Sequence, residues 1–237
     1  LAGTTASSLY EARLGHEVFG GETHVFSPAF REDEFDELLR YVDHLVFNSP
    51  AQVRKYGEAA KSAGKSLGLR VNPECSTQEG PAIYDPCAPG SRLGVTLAAF
   101  DKQLLPLLDG LHFHTLCEQD ADALEITVAA FEKSFGQYMP GMKWLNLGGG
   151  HHITRPGYDV EKLIHIIQRL RRTYGVRIYL EPGEAVVLNA GNLVSTVLDV
   201  VHNDVDIAIL DASAACHMPD VLEMPYRPPV HGSGLPG

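Results

Sequence analysis

Three short stretches put reactive side chains where apolar runs end: "HFHTLCE" (112–118), "GGGHH" (148–152) and "EPGE" (181–184). His112 and His114 alternate with Phe113, so in a strand both imidazoles face one side. Gly148, Gly149 and Gly150 let the backbone take dihedrals closed to other residues and leave room for a ligand. A glycine run at a strand's C-terminal end can cradle a phosphate with backbone N–H groups. Glu181 closes the apolar run "RIYL", where a buried carboxylate is costly unless something pairs with it.

Two chemistries compete for these residues. In the first, His112, His114, His151, His152, Asp211 and His217 supply metal ligands for a barrel hydrolase or isomerase. Against it, His151 and His152 are adjacent, and adjacent strand residues point opposite ways. In the second, the parts hold pyridoxal 5′-phosphate, which needs a phosphate cradle, a flat group against its ring and a partner for the ring nitrogen. The three glycines, His114 and Glu181 offer those parts. An acidic partner keeps the ring nitrogen protonated, so that the ring can take up electrons when a carboxylate leaves as CO₂.

The elements that must position these residues alternate along the chain. Strands are expected at 3–7, 23–27, 44–48, 68–72, 111–115, 144–148 and 177–181. Helical spacing sets Phe35, Leu38, Leu39 and Val42 on one face. It does the same for Leu124, Val128, Phe131 and Phe135, and for Val160, Leu163, Ile164 and Ile167. "NSPAQVRKYGEAAKSAG" has Ser49 as N-cap, Pro50 at the first helical position and Gly64 past the end. Seven strand–helix units in series argue for a parallel sheet, open or closed into a barrel. An eight-stranded (β/α) barrel of about 250 residues that lacks its first strand is the economical account. Ligands of such barrels bind at the C-terminal strand ends, where the three stretches fall. We expect the barrel over 1–191 and the start of a C-terminal β domain over 192–237, where "NLVSTVLDVVHND" and "VDIAILDAS" read as β without helices.

Composition narrows the classes. The 237 residues are 44% hydrophobic with a formal net charge of −11, acids outnumbering Lys plus Arg by 30 to 19. With no basic run, nucleic acid is excluded as an expected partner. No apolar run reaches the roughly 18 residues of a membrane span. Four cysteines without a C-x-x-C pair suit a reduced, cytoplasmic setting.

The order "FHTLCE", "LNLGGGHH", "EPGEAVV" and "DASAACHMPDVLEMPYRP" resembles the alanine racemase-like (fold type III) decarboxylases. Within that family it is similar to the branch acting on carboxynorspermidine and carboxyspermidine. The resemblance implies a pyridoxal 5′-phosphate-dependent decarboxylase of polyamine biosynthesis, working as a homodimer with active sites at the interface. It implies that His114 stacks on the cofactor ring, that Gly148, Gly149 and Gly150 bind its phosphate, and that Glu181 pairs with the ring nitrogen. Arg92 would lie near the cofactor's phenolic oxygen, and Cys117 would pack near the site. Where ornithine-type relatives have Glu-Pro-Gly-Arg, this chain has Glu184, which suits a polycationic carboxytriamine; Asp220 falls in the family's substrate-selecting segment. The family's Schiff-base lysine and its catalytic cysteine from the second subunit match no position here. The chain is therefore expected to be an internal fragment. The remaining alternative, a non-catalytic homologue serving as a binding module, would also lack the lysine.

Overall fold

A computed structural model describes residues 1–79, 85–223 and 226–234. Its backbone contacts divide into two units, Leu1–Leu188 and Asn189–Gly237.

The first unit is a seven-stranded, all-parallel sheet in sequence order. The strands are β1 (Gly3–Ala6), β2 (Glu22–Phe26), β3 (His44–Phe47), β4 (Ser66–Arg70), β5 (Gly110–His112), β6 (Trp144–Asn146) and β7 (Arg177–Tyr179). Each expected strand is present, with its ends moved by a few residues. The helices are α1 (Leu9–Leu14), α2 (Glu32–Leu38), α3 (Pro50–Ser62), α4 (Ala121–Phe135), α5 (Val160–Tyr174) and α6 (Gly183–Val187). The sheet curls until its edges meet: Arg177 Nη1 donates to Glu22 Oε1 at 2.9 Å, and Thr5 Oγ1 to Glu181 Oε1 at 3.2 Å. Among the described residues β1 and β7 share no ladder. The result is the curled parallel sheet of the expected barrel, open at one seam.

Period two divides the sheet into two faces. The outer face carries the core: Leu45, Phe47, Leu67, Leu69, Leu111, Phe113, Leu145 and Leu147 are all buried. Phe113 stacks on Phe131 of α4 (centroids 4.8 Å apart), and Phe47 lies 6.5 Å from Tyr56 of α3. The inner face is polar and aromatic. Phe26 there meets His112 at 5.6 Å and lies under the Arg70 guanidinium at 4.5 Å.

Local signals set the helix ends. Ser49 Oγ accepts the Gln52 N–H at 3.3 Å at the start of α3. Asp159 Oδ1 accepts the Lys162 N–H at 2.9 Å at the start of α5, which stops at a left-handed Gly175. Two expectations fail. Among the described residues no α-helix joins β4 to β5; two 3₁₀ turns, Leu97–Ala99 and Lys102–Leu107, stand there, and Pro106 removes a donor that an α-helix would use. The second helix ends at Leu38, so Leu39 and Val42 cover the core from the following turn. No helix is long and apolar enough to cross a membrane among the described residues.

The second unit is an antiparallel hairpin of β8 (Val197–Asn203) and β9 (Val205–Leu210), turned at Asp204 with φ 58°. Two short helices follow, α7 (Ala214–His217) and α8 (Asp220–Glu223). Met224 and Pro225 of the family-like "HMPDVLEMPYRP" lie outside the described residues.

At the N-terminal strand ends one carboxylate gathers three segments. Asp109, 5% exposed, accepts the Leu67 N–H at 2.9 Å and Lys143 Nζ at 2.8 Å, and also pairs with Lys61. Burial pushes its pKa up, but the two lysines and the amide outweigh burial and hold it at about 2. Because the folded value lies below the unfolded one of about 3.9, the stabilisation is complete above pH ~4 and lost as pH falls through ~2. Asp109→Asn should cost about 3 kcal/mol at pH 7 by thermal or urea unfolding. Its deficit against wild type should shrink between pH 4 and 2. An unchanged deficit across that window would refute the carboxylate's role.

Candidate active site

The C-terminal strand ends gather most of the residues singled out by type and spacing. Glu181, directly after β7, has 13% of its side chain exposed. Its Oε1 accepts Asn146 Nδ2 at 2.8 Å and Thr5 Oγ1 at 3.2 Å, and His112 Nε2 lies 3.4 Å from Oε2. Burial alone would raise the Glu181 pKa. The contacts to His112 and Asn146 and the nearby His114 overcome it, so the carboxyl sits well below the usual range and stays ionised. His112 is fully buried, and that burial pushes its imidazole down toward the neutral form.

His114 lies just past β5. Burial first, and the charge of Arg70 second, hold its imidazole at about 4, so the ring is neutral at pH 7. Its Nδ1 accepts the Gly149 N–H at 3.3 Å. Asn146 joins the carboxylate to the glycine turn: its Oδ1 takes the Gly148 N–H at 2.8 Å while its Nδ2 holds Glu181. Gly148 and Gly150 have φ of 72° and 78°. A Cβ on Gly150 would stand 2.2 Å from the Leu116 carbonyl oxygen, so the turn admits no side chain there. The cradle expected from three donors is narrower, because the Gly148 and Gly149 N–H groups are bonded within the protein.

A cavity of about 330 Å³ opens beside this turn, walled by His114, Gly150, His152, Arg70, Cys117 and Glu184 among others. Neither ring nitrogen of buried His152 has a hydrogen-bond partner among the described residues, although Nε2 lies 3.2 Å from Glu184 Oε1. Glu184 is half-exposed. Cys117 lines the cavity rather than only packing beside it, and burial pushes its thiol pKa up.

Arg92 does not join this group. It is exposed in the turn that leads to Val95, and its described contact is the backbone carbonyl, which accepts from Asn48 Nδ2 at 2.9 Å. The cation in the cavity wall is instead Arg70, 5% exposed at the end of β4, which donates to the His114 carbonyl oxygen at 3.3 Å. Sequence reasoning passed over Arg70 and Asn146. The signal was the one that flagged Glu181, a charged or amide side chain closing an apolar run, here "GLR" and "WLN".

Of the competing metal set, His112 and His114 lie together, and Glu181, which was no part of that set, completes the group. His112, His114 and Glu181 have donor atoms within 4.8 Å of one another. Asp211 and His217 belong to the second unit. Asp220 also lies there, exposed at the start of α8. Among the described residues no lysine lines the cavity.

The inner-face network predicts its own cost of disruption. Asn146→Leu leaves the Gly148 N–H unpaired and strips Glu181 of its shortest hydrogen bond. It should destabilise the chain by about 3 kcal/mol in urea unfolding, the sum of two buried groups left short of a partner. A loss under about 1 kcal/mol would show that neither bond matters to the fold.

No family model matches the chain. A carboxynorspermidine/carboxyspermidine decarboxylase of Campylobacter jejuni is 49% identical over 226 residues, 95% of this chain and 58% of the relative. A carboxyaminopropylagmatine decarboxylase of Synechocystis is 44% identical over 238 residues, 100% of this chain and 61% of the relative. The crystal structure of carboxynorspermidine decarboxylase from Campylobacter jejuni complexed with norspermidine superposes with a TM-score of 0.85 at 47% identity. It is matched over 95% of this chain and 58% of that one. The chain thus spans about three fifths of the length of these relatives. Over nearly its whole length the chain is thus similar to these decarboxylases, and its curled parallel sheet matches the alanine racemase-like, fold type III barrel.

Proposed function

We propose that this chain carries the cofactor-binding part of a pyridoxal 5′-phosphate-dependent decarboxylase that converts carboxynorspermidine or carboxyspermidine to norspermidine or spermidine. The observation that carries the reading is Glu181, an ionised carboxylate buried among Asn146, Thr5 and His112 and close to the neutral ring of His114. A cofactor with a protonated ring nitrogen has a use for so strongly held an anion.

The residues fit that group. Gly150 bars any side chain from the cavity wall, and buried His152, whose Nδ1 has no hydrogen-bond partner among the described residues, stands beside it, a place for a phosphate. Gly148 and Gly149 shape the turn. His114 offers a flat, uncharged face to a ring, and Arg70 takes the cationic place that sequence gave to Arg92. Pyridoxal 5′-phosphate supplies an electron sink for the pair left when CO₂ departs. Glu181 would accept a hydrogen bond from the protonated ring nitrogen and keep that proton in place. Glu184 and Asp220 would pair with the distal ammonium groups of the carboxytriamine. The protein would act in the cytoplasm as a homodimer with the second subunit completing each site.

A second reading rests on the close approach of His112, His114 and Glu181, a possible ligand set for a hydrolytic metal. Visible absorption of the intact enzyme with added cofactor separates the two, since the metal reading and a cofactor-free binding module predict no cofactor band.

Two substitutions in the intact enzyme test the roles. Glu181→Gln should retain the cofactor and lower kcat on the order of 10²-fold or more, the scale of losing one preorganised electrostatic partner. Near-normal kcat refutes the role. Glu184→Gln and Asp220→Asn should each raise KM for carboxynorspermidine roughly tenfold or more and leave the cofactor spectrum unchanged. Wild-type KM in both, or loss of cofactor in either, overturns the substrate assignment.

A further inference from the structure

A second histidine–carboxylate cluster occupies the inner face at the opposite ends of the strands. Glu22 and His24 are two residues apart on β2, so both point to one face. His44, which opens β3, is the register partner of His24. Three side chains from two neighbouring strands are thereby brought together by backbone geometry alone. Glu22 Oε2 lies 3.2 Å from His24 Nε2 and 4.0 Å from His44 Nε2. All three donor atoms lie within 4.8 Å of one another.

The surroundings are organised around that carboxylate. Arg177 Nη1 holds the other oxygen, Glu22 Oε1, at 2.9 Å, which leaves Oε2 turned to the imidazoles. Metal-binding carboxylates are oriented by such outer contacts. Tyr179 packs edge-on against both rings, at 4.6 and 5.3 Å. Glu22 and His24 also line a cavity of about 330 Å³ that extends to Asn146 and Glu181, with room beside the cluster for an ion and its water ligands.

We propose that Glu22, His24 and His44 form a three-ligand site for a borderline divalent transition-metal ion of the zinc class. Two imidazoles and one carboxylate are donors that such an ion takes, whereas calcium and magnesium take oxygens. Tetrahedral donors about 2.0–2.1 Å from an ion stand about 3.3 Å apart. Glu22 and His24 already have that spacing, and His44 must close on Glu22 by roughly 0.7 Å. The rings stack with centroids 4.1 Å apart and 5° between their planes. Converging on an ion therefore takes a splay about χ2, a soft rotation for histidine. The ligands open their strands, while Glu181 follows the end of its own, so the ion is held by none of the groups proposed to hold the cofactor. It ties β2 to β3 and, through Arg177, to β7.

Zinc anomalous scattering from crystals of the wild-type protein soaked in Zn²⁺ tests the position directly. A peak bounded by Glu22 Oε2, His24 Nε2 and His44 Nε2 is expected. No peak there, or a peak only at His112, His114 and Glu181, overturns the proposal. Calorimetric titration of the chelator-stripped protein with Zn²⁺ tests the ligands. His44→Gln should weaken one binding event by at least roughly 100-fold, and His114→Gln should leave that event unchanged. Equal zinc affinity in His44→Gln and wild type also overturns it. The soaked wild-type crystal decides the matter even if His44→Gln does not fold.

Discussion

A carboxylate removed from water must be held by other polar groups or it will take up a proton, and this requirement at Glu181 organises the catalytic end of the sheet. Its partners come from four separate places in the sequence: Thr5 on β1, His112 on β5, Asn146 on β6, and the backbone of the glycine turn, whose Gly148 oxygen accepts the Glu181 N–H at 2.8 Å. None of these contacts is local. They exist only when the parallel ladders are in register, so the charge of one residue depends on the curl of the whole sheet. Asn146 matters most, because one amide serves both the carboxylate and the turn that follows its own strand.

Electrostatics divides the labour between the two histidines near that carboxylate. His112 is fully buried and lies close to the anion, whereas His114 is turned toward the cavity and accepts a backbone N–H. Burial keeps both from carrying charge at neutral pH. The net charge of this end is thus set by Glu181 and Arg70, an anion and a cation on the inner face, with uncharged rings between them. Such a pairing suits a ligand that carries both a negative group and a protonated ring.

Much of this was legible in the sequence because strand ends announce themselves. "RIYLEPGE" shows an apolar run stopped by an acid, and "LGGGHH" shows a backbone that no side chain could follow. The seven strands followed from apolar runs separated by helical spacing, and the cap at Ser49 and Pro50 followed from local chemistry. The 3₁₀ turns that stand before β5 were not legible, since a stretch without periodicity says little about its local structure. Arg92 drew attention by resemblance, and its exposure could be known only from the fold. Arg70 and Asn146 were passed over because each is a single polar residue at the end of an apolar run, and their partners are tens of residues away. The Glu22, His24 and His44 cluster was hidden for a different reason: no spacing in sequence reveals which residue of β3 stands beside a given residue of β2.

The two-faced sheet has a consequence for how such a protein changes over time. Cohesion resides on the side that meets the helices, where Leu67, Leu69, Leu111, Phe113 and Leu145 are sealed from water. Reactivity resides on the other side, one residue along the same strands. Inward positions outside the Glu181–Asn146 network can therefore change while the outward positions keep the scaffold standing, whereas a change within that network touches recognition and stability together.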